Sequence, residues 1–191
     1  MVLAGGGSRR MGRDKLHLEV GGEPLVRRVT QALSGRCDEV ILAGPAAGLP
    51  RDVRRVRDDR PGEGPLAGME AGLSAARFPL VFVAAGDMPF LGSDLVAYLL
   101  DALVQGELQA VVPLYKERSH PLCAAYAREI LPRLRSDLDG GVRAVREFVG
   151  RLGRVAYVEG AELRRFGDPD LLLMNVNSPQ DLRRARELAG G

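Results

Sequence analysis

The chain has almost no lysine. Of its 27 basic residues only Lys15 and Lys116 are lysines, and all the others are arginines. Asparagine is as scarce, confined to Asn175 and Asn177. In a composition that avoids a residue type this strongly, the positions that keep it are candidates for a specific task. Tryptophan is absent, and Cys37 and Cys123 are the whole cysteine complement. Two distant thiols without C-x-x-C spacing argue against a disulfide framework or a zinc site, and they suit a reducing cytoplasm. There is no block of like charge and the net charge is only +2, so neither nucleic acid nor a membrane is the expected partner. No apolar run comes near the roughly 20 residues that span a bilayer, and no leader pattern is visible. What is there is 191 residues, 46% hydrophobic and 27% charged. That suits one globular domain over residues 1–191 with a sizeable core.

Apolar patterning supplies the elements. Residues 1–4 form a short first strand. Leu16, Leu18 and Val20 alternate and run into Gly21-Gly22, a short extended segment and a turn. Pro24 suits the first turn of a helix that buries Leu25, Val29, Ala32 and Leu33 and stops at Gly35. The continuous runs at 40–43 and 80–85 read as strands buried on both faces, with a weaker strand at 53–56. A glycine-rich loop, 62–68, opens a helix at 69–77. Further helices are expected at 95–104, 127–135, 142–149 and from Ser178-Pro179 onward. Further strands are expected at 110–113, 122–126, 155–158 and 171–174, with a polar loop, 115–121, between the first two. Strands alternating with helices indicate a mostly parallel α/β sheet with helices on both faces. Ligands of such sheets sit at the carboxyl ends of the strands.

The first of those ends carries the densest signal: Leu3-Ala4-Gly5-Gly6-Gly7-Ser8-Arg9-Arg10-Met11-Gly12-Arg13-Asp14-Lys15. Glycines let the backbone approach a ligand closely. Successive N–H groups make an anion-binding concavity, and the cations follow where a polyphosphate would lie. This reads as a triphosphate loop; a glycine turn with solvated arginines is the bland alternative. A dinucleotide fingerprint fails at Arg10. A Walker loop fails because Arg13-Asp14, not a lysine and a hydroxyl, follows Gly12. Asp87 ends the 80–85 strand, where a carboxylate is a hard ligand suited to Mg²⁺. Capping the next helix falls to Ser93 or Asp94 instead. Alternation puts the amides of Asn175 and Asn177 on one side of an extended chain.

The pattern L-A-G-G-x-S-x-R-M-G-x-D-K resembles the signature loop of nucleotidyltransferases. Gly64-Pro65-Leu66-Ala67-Gly68, Gly86-Asp87-Met88-Pro89, the loop around His120-Pro121 and Asn175-Val176-Asn177-Ser178-Pro179 follow in the same order. Together they resemble the molybdenum cofactor guanylyltransferases, within the MobA-like nucleotidyltransferases. The resemblance implies a Rossmann-like sheet of the nucleotide-diphospho-sugar transferase type. It implies transfer of GMP from GTP to the terminal phosphate of molybdopterin or the molybdenum cofactor, with pyrophosphate leaving. Asp87 would hold Mg²⁺, Lys15 would meet the α- or β-phosphate, and Arg10 would stabilise charge on the leaving pyrophosphate. Leu3, Ala4, Gly5, Gly6 and Ser8 would surround the nucleotide from the first loop. Asp59, Pro65, Leu66 and Gly68 would do so from the base side, and Gly5-Gly6 with G-P-L-A-G favours guanine. His120, Asn175 and Asn177 would face the acceptor. Molybdenum cofactor insertion proteins or apo-enzymes are the implied protein partners. Solvated roles for Lys15 and Asp59, and packing roles for His120 and the asparagines, stay open. So do two other functions: a nucleotidyltransferase using CTP or another phosphorylated acceptor, and a non-catalytic nucleotide-binding module. Chains of the family begin a few residues earlier, which leaves the first strand a stub.

Overall fold

The computed structural model describes residues 1–4, 15–44, 53–58, 60 and 62–190, with Lys15 as backbone only. Its central strands come from the apolar runs: β1 (Val2–Leu3), β4 (Ile41–Ala43), β5 (Arg54–Val56), β6 (Leu80–Ala85), β7 (Ala110–Tyr115), β9 (Cys123–Ala127) and β10 (Val155–Glu159). They lie in the order β10-β7-β9-β6-β1-β4-β5. β9 runs antiparallel to both β6 and β7, while the other neighbouring pairs are parallel. The sheet is therefore mostly parallel with one reversed strand near its middle. Two residues suffice for β1 because both edges are paired: Val2 sits opposite Leu42 and Ala84, and Leu3 opposite Ala43 and Ala85. A small antiparallel hairpin, β2 (Glu19–Val20) and β3 (Glu23–Pro24), stands apart and turns at Gly21-Gly22.

The period-2 alternation of the strands builds a core on each face. Val2, Leu42, Phe82 and Ala84 pack on one side with α1 (Leu25–Ser34) and α3 (Ser93–Gln105). Leu3, Ile41, Val83 and Val112 pack on the other with α2 (Pro65–Ala75), α4 (Leu131–Asp139) and α5 (Val145–Gly150). The chain ends in α6 (Gly160–Leu163), α7 (Pro169–Leu172) and α8 (Pro179–Gly190). No helix among the described residues is long and apolar enough to cross a membrane.

The structure departs from the sequence expectations at several places. Leu16 lies in a 3₁₀ turn, Lys15–His17, and not in the extended segment, and the helix expected at 127–135 begins as a 3₁₀ turn, Arg128–Ile130, that leads into α4. Residues 171–174 are no strand: Asp168 accepts a hydrogen bond from Asp170 N at 2.9 Å and Pro169 occupies the first helical turn, so the segment closes into α7. A short apolar run fits either element, and here the cap decides. The helix expected at 69–77 begins at Pro65, so most of G-P-L-A-G is its first turn. Neither Ser93 nor Asp94 caps α3; Gly92 stands at that position without a side-chain bond, and Asp94 lies in the first turn. The polar loop 115–121 is itself a hairpin, in which β8 (Arg118–Ser119) pairs back on β7.

Candidate functional site

A cavity of about 460 Å³ opens at the carboxyl ends of the parallel strands, a volume in the usual range for a small-molecule site. Leu3 and Ala4 enter it from the end of β1, and Gly86, Asp87 and Met88 from the end of β6. Pro65 borders it from the start of α2. His120 and its neighbours come from the β8 hairpin, and Asn175 and Asn177 from the stretch before α8. The sheet order explains the convergence, because β1 and β6 are adjacent and β9 starts beside the end of β6.

Gly86 allows the two strand ends to close on each other. Its N–H donates to Leu3 O at 3.0 Å. A Cβ there would lie 2.9 Å from Leu16 Cδ2 and 3.2 Å from Leu3 O. Asp87, next in the chain, is only 6% exposed. Its carbonyl accepts a hydrogen bond from Val176 N at 2.9 Å, so the acidic strand end is tied directly to the asparagine tripeptide. Val176 is fully buried against Val20, Leu25, Leu182 and Ala185. With that side chain pinned inward, both flanking asparagines face the cavity, as the alternation requires. The next residues form a capping box for α8: Ser178 Oγ accepts from Asp181 N at 3.2 Å, and Asp181 Oδ2 accepts from Ser178 N at 2.8 Å and Asn177 N at 3.0 Å.

The opposite wall is cationic. Arg118 and Arg146 line the cavity beside His120, and Arg146 donates from Nε and Nη2 to Ser119 O at 3.2 and 3.0 Å. Burial of the His120 ring, aided by the positive charge of Arg118 and Arg146, pulls its pKa from the ordinary 6.5 down to about 4. The ring is neutral at physiological pH, and the two arginines carry the charge of this wall. Because the folded-state pKa lies below the unfolded value, acidification favours unfolding as pH falls from 6.5 towards 4. An NMR titration of the imidazole protons is expected to show a midpoint near 4; a midpoint of 6.5 would mean that the ring is hydrated and remote from both arginines.

Asp87 is the one acidic side chain lining the cavity among the described residues, and those residues hold no cluster of three His, Cys, Asp or Glu side chains fit for a metal. A single carboxylate with two asparagines lining the same cavity suits a hard cation that takes its other oxygens from phosphates and water. It does not suit a metal held in an all-protein cage.

Of the residues singled out in the sequence, Leu3, Ala4, Pro65, Asp87, His120, Asn175 and Asn177 meet in this cavity. Leu66 and Gly68 do not. Leu66 is fully buried in the core under α2, and Gly68 faces Leu3, whose Cδ2 would lie 3.5 Å from an added Cβ. Gly5, Gly6, Ser8, Arg10 and Asp59, and the side chain of Lys15, lie outside the described residues. Arg146 was not legible: one more arginine in an arginine-rich chain offers no contrast, and α5 carries no loop motif.

Residues 1–155 match the MobA-like NTP transferase domain. A probable molybdenum cofactor guanylyltransferase of Pelotomaculum thermopropionicum is 38% identical over 192 residues, which cover 99% of this chain and 92% of that one. Its counterpart in Mycobacterium avium is 35% identical over 191 residues, covering 96% and 92%. Among solved structures, molybdopterin-guanine dinucleotide biosynthesis protein A from Archaeoglobus fulgidus superposes with a TM-score of 0.85 at 27% identity, over 99% of this chain and 97% of that one. The sheet order, the motifs gathered at its strand ends and these full-length likenesses agree: the chain belongs to the MobA-like NTP transferase family.

Proposed function

We propose that the protein is a molybdenum cofactor guanylyltransferase, which transfers GMP from GTP to the terminal phosphate of molybdopterin or its molybdenum-loaded form. The observation that carries this reading is the cavity itself. Its lining brings together a buried carboxylate at one strand end, two arginines beside a histidine that is neutral at physiological pH, and two asparagine amides. The near full-length relatives named for that activity support the same conclusion.

Nucleotide would enter on the side of Leu3, Ala4 and Pro65, with its phosphates towards Asp87. The glycine loop with Ser8, Lys15 and Arg10, and Asp59 with the first turn of α2 on the base side, complete this half of the reading. Asp87, with Asn175 and Asn177 beside it, would hold Mg²⁺, which when bound neutralises charge on the triphosphate. The acceptor phosphate would lie against Arg118, Arg146 and His120. One of its oxygens attacks the α-phosphorus in line; the new O–P bond forms as the bond to the β-phosphate bridge breaks, and pyrophosphate leaves. A phosphate monoester with a second pKa of about 6 is already largely ionised at neutral pH. No strong general base is needed, which agrees with a histidine whose task is hydrogen bonding. Catalysis is positioning plus charge neutralisation. A reducing cytoplasm fits the two free thiols, Cys37 and Cys123.

The test is pyrophosphate release by the purified protein with Mg²⁺, molybdopterin and either GTP or CTP. Release with GTP alone is expected. Release with CTP would overturn the guanine assignment, and binding without release would leave a nucleotide-binding module.

A further inference from the structure

The second of the two lysines belongs to none of the roles above. Lys116 forms the tip of the β7–β8 hairpin with Glu117, and both residues have positive φ, 49° and 57°. Its Nζ donates to both carboxylate oxygens of Asp170 at 2.7 and 2.9 Å. Tyr115 Oη donates to Asp170 Oδ2 at 3.1 Å. The Tyr115 ring lies over Gly160, where a Cβ would approach it to 2.8 Å. Asp170 is held in turn by the Asp168 cap of α7, and α7 is anchored by buried Leu172 and Leu173. The mutual attraction raises the pKa of Lys116 and lowers that of Asp170.

The two ends of this contact lead to two walls of the cavity, the hairpin and the asparagine stretch. Four residues beyond Lys116 is His120, and five beyond Asp170 is Asn175. We propose that Lys116, Tyr115 and Asp170 form a latch that fixes the hairpin wall of the cavity against its asparagine wall and so sets the width of the site for the phosphorylated acceptor. The inference rests on the acceptor reading above. The three are positioning residues: the pair is exposed, and exposed ion pairs contribute little to global stability. Its effect is on the placement of the hairpin, whose inner bond runs from His120 N to Pro113 O at 2.9 Å.

The experiment compares the full chain with Asp170→Asn, Lys116→Met and the charge-swapped Lys116→Asp/Asp170→Lys. Aspartate tolerates the left-handed backbone of position 116. Three quantities are read: hydrogen exchange of the His120 amide, KM for molybdopterin, and GTP affinity by calorimetry. Each single variant is expected to speed His120 exchange about tenfold and raise the acceptor KM about fivefold, with GTP affinity and melting temperature unmoved. The swapped pair restores both. Unchanged exchange or KM in Asp170→Asn, a parallel fall in GTP affinity, or no recovery in the swap refutes the latch. A wild-type protein that releases no pyrophosphate with molybdopterin refutes the acceptor reading instead, while the amide exchange still decides whether the hairpin is latched.

Discussion

Asp87→Ala is expected to lower pyrophosphate release by about 10³-fold while the protein still folds. The carboxylate follows β6 by two residues and is the one acidic side chain lining the cavity among the described residues; in the proposed reaction it meets the triphosphate. In the proposed reaction, removing it would leave the polyphosphate charge to the cations and would take from Mg²⁺ its charged protein ligand. The fold is insulated from the change because the bond from Val176 N goes to the backbone carbonyl of Asp87, not to the side chain. Thermal unfolding should therefore move by about 4 °C or less, equivalent to roughly 1 kcal/mol in a chain this long. Asp87→Asn keeps the shape and an oxygen donor but no charge, and its turnover should fall nearly as far. Excess Mn²⁺ or Mg²⁺ is expected to recover part of the asparagine variant's rate and none of the alanine variant's. Near-normal turnover of Asp87→Ala in Mg²⁺ would remove this residue from the metal and leave the cavity without a charged ligand among the described residues.

The parts of this arrangement that could be read in advance were those where a local rule acts alone. β6 was legible to the residue, because its apolar run is short for a buried helix and is bounded by Pro79 and Gly86. The asparagine tripeptide was legible because alternation fixes its geometry once Val176 is inward. The failures have different causes. Residues 171–174 looked like a strand until the cap at Asp168 is taken into account. The hairpin at 115–121 gave no turn signal, because its tip is Lys116-Glu117 and not the Asn-Gly that a primed turn prefers. Arg146 reaches the cavity only through tertiary placement of α5, which no sequence spacing encodes. The reversed strand β9 lies between β6 and β7 in space although it follows both in the chain. Its apolar composition is that of any buried strand and does not give its direction.

Replacing Gly86 tests how closely fold and site are joined. Its backbone is not in the left-handed region, so the cost of a side chain there is steric and not conformational. Gly86→Val should lower stability by about 3 kcal/mol through overpacking, a fall of about 6–12 °C in melting temperature. It should also cost about 100-fold in turnover, since displacing Asp87 by about an ångström would spoil the alignment with the reacting phosphate that the proposed reaction requires. Gly86→Ala separates the two contacts responsible. Its Cβ meets the mobile end of Leu16 at 2.9 Å and the fixed carbonyl of Leu3 at 3.2 Å. Adding Leu16→Ala removes the first contact and leaves the second. If the leucine were the main obstacle, the double variant would be less destabilised than the sum of its parts and would regain activity. The Leu3 carbonyl belongs to a strand paired on both edges and cannot retreat without shifting β1. Leu16 is itself buried in the core, so the double variant is expected to be destabilised by about the sum of its parts and to regain little turnover. The site is then limited by the spacing between β1 and β6, which fixes both the end of β1 at Leu3-Ala4 and the position of Asp87.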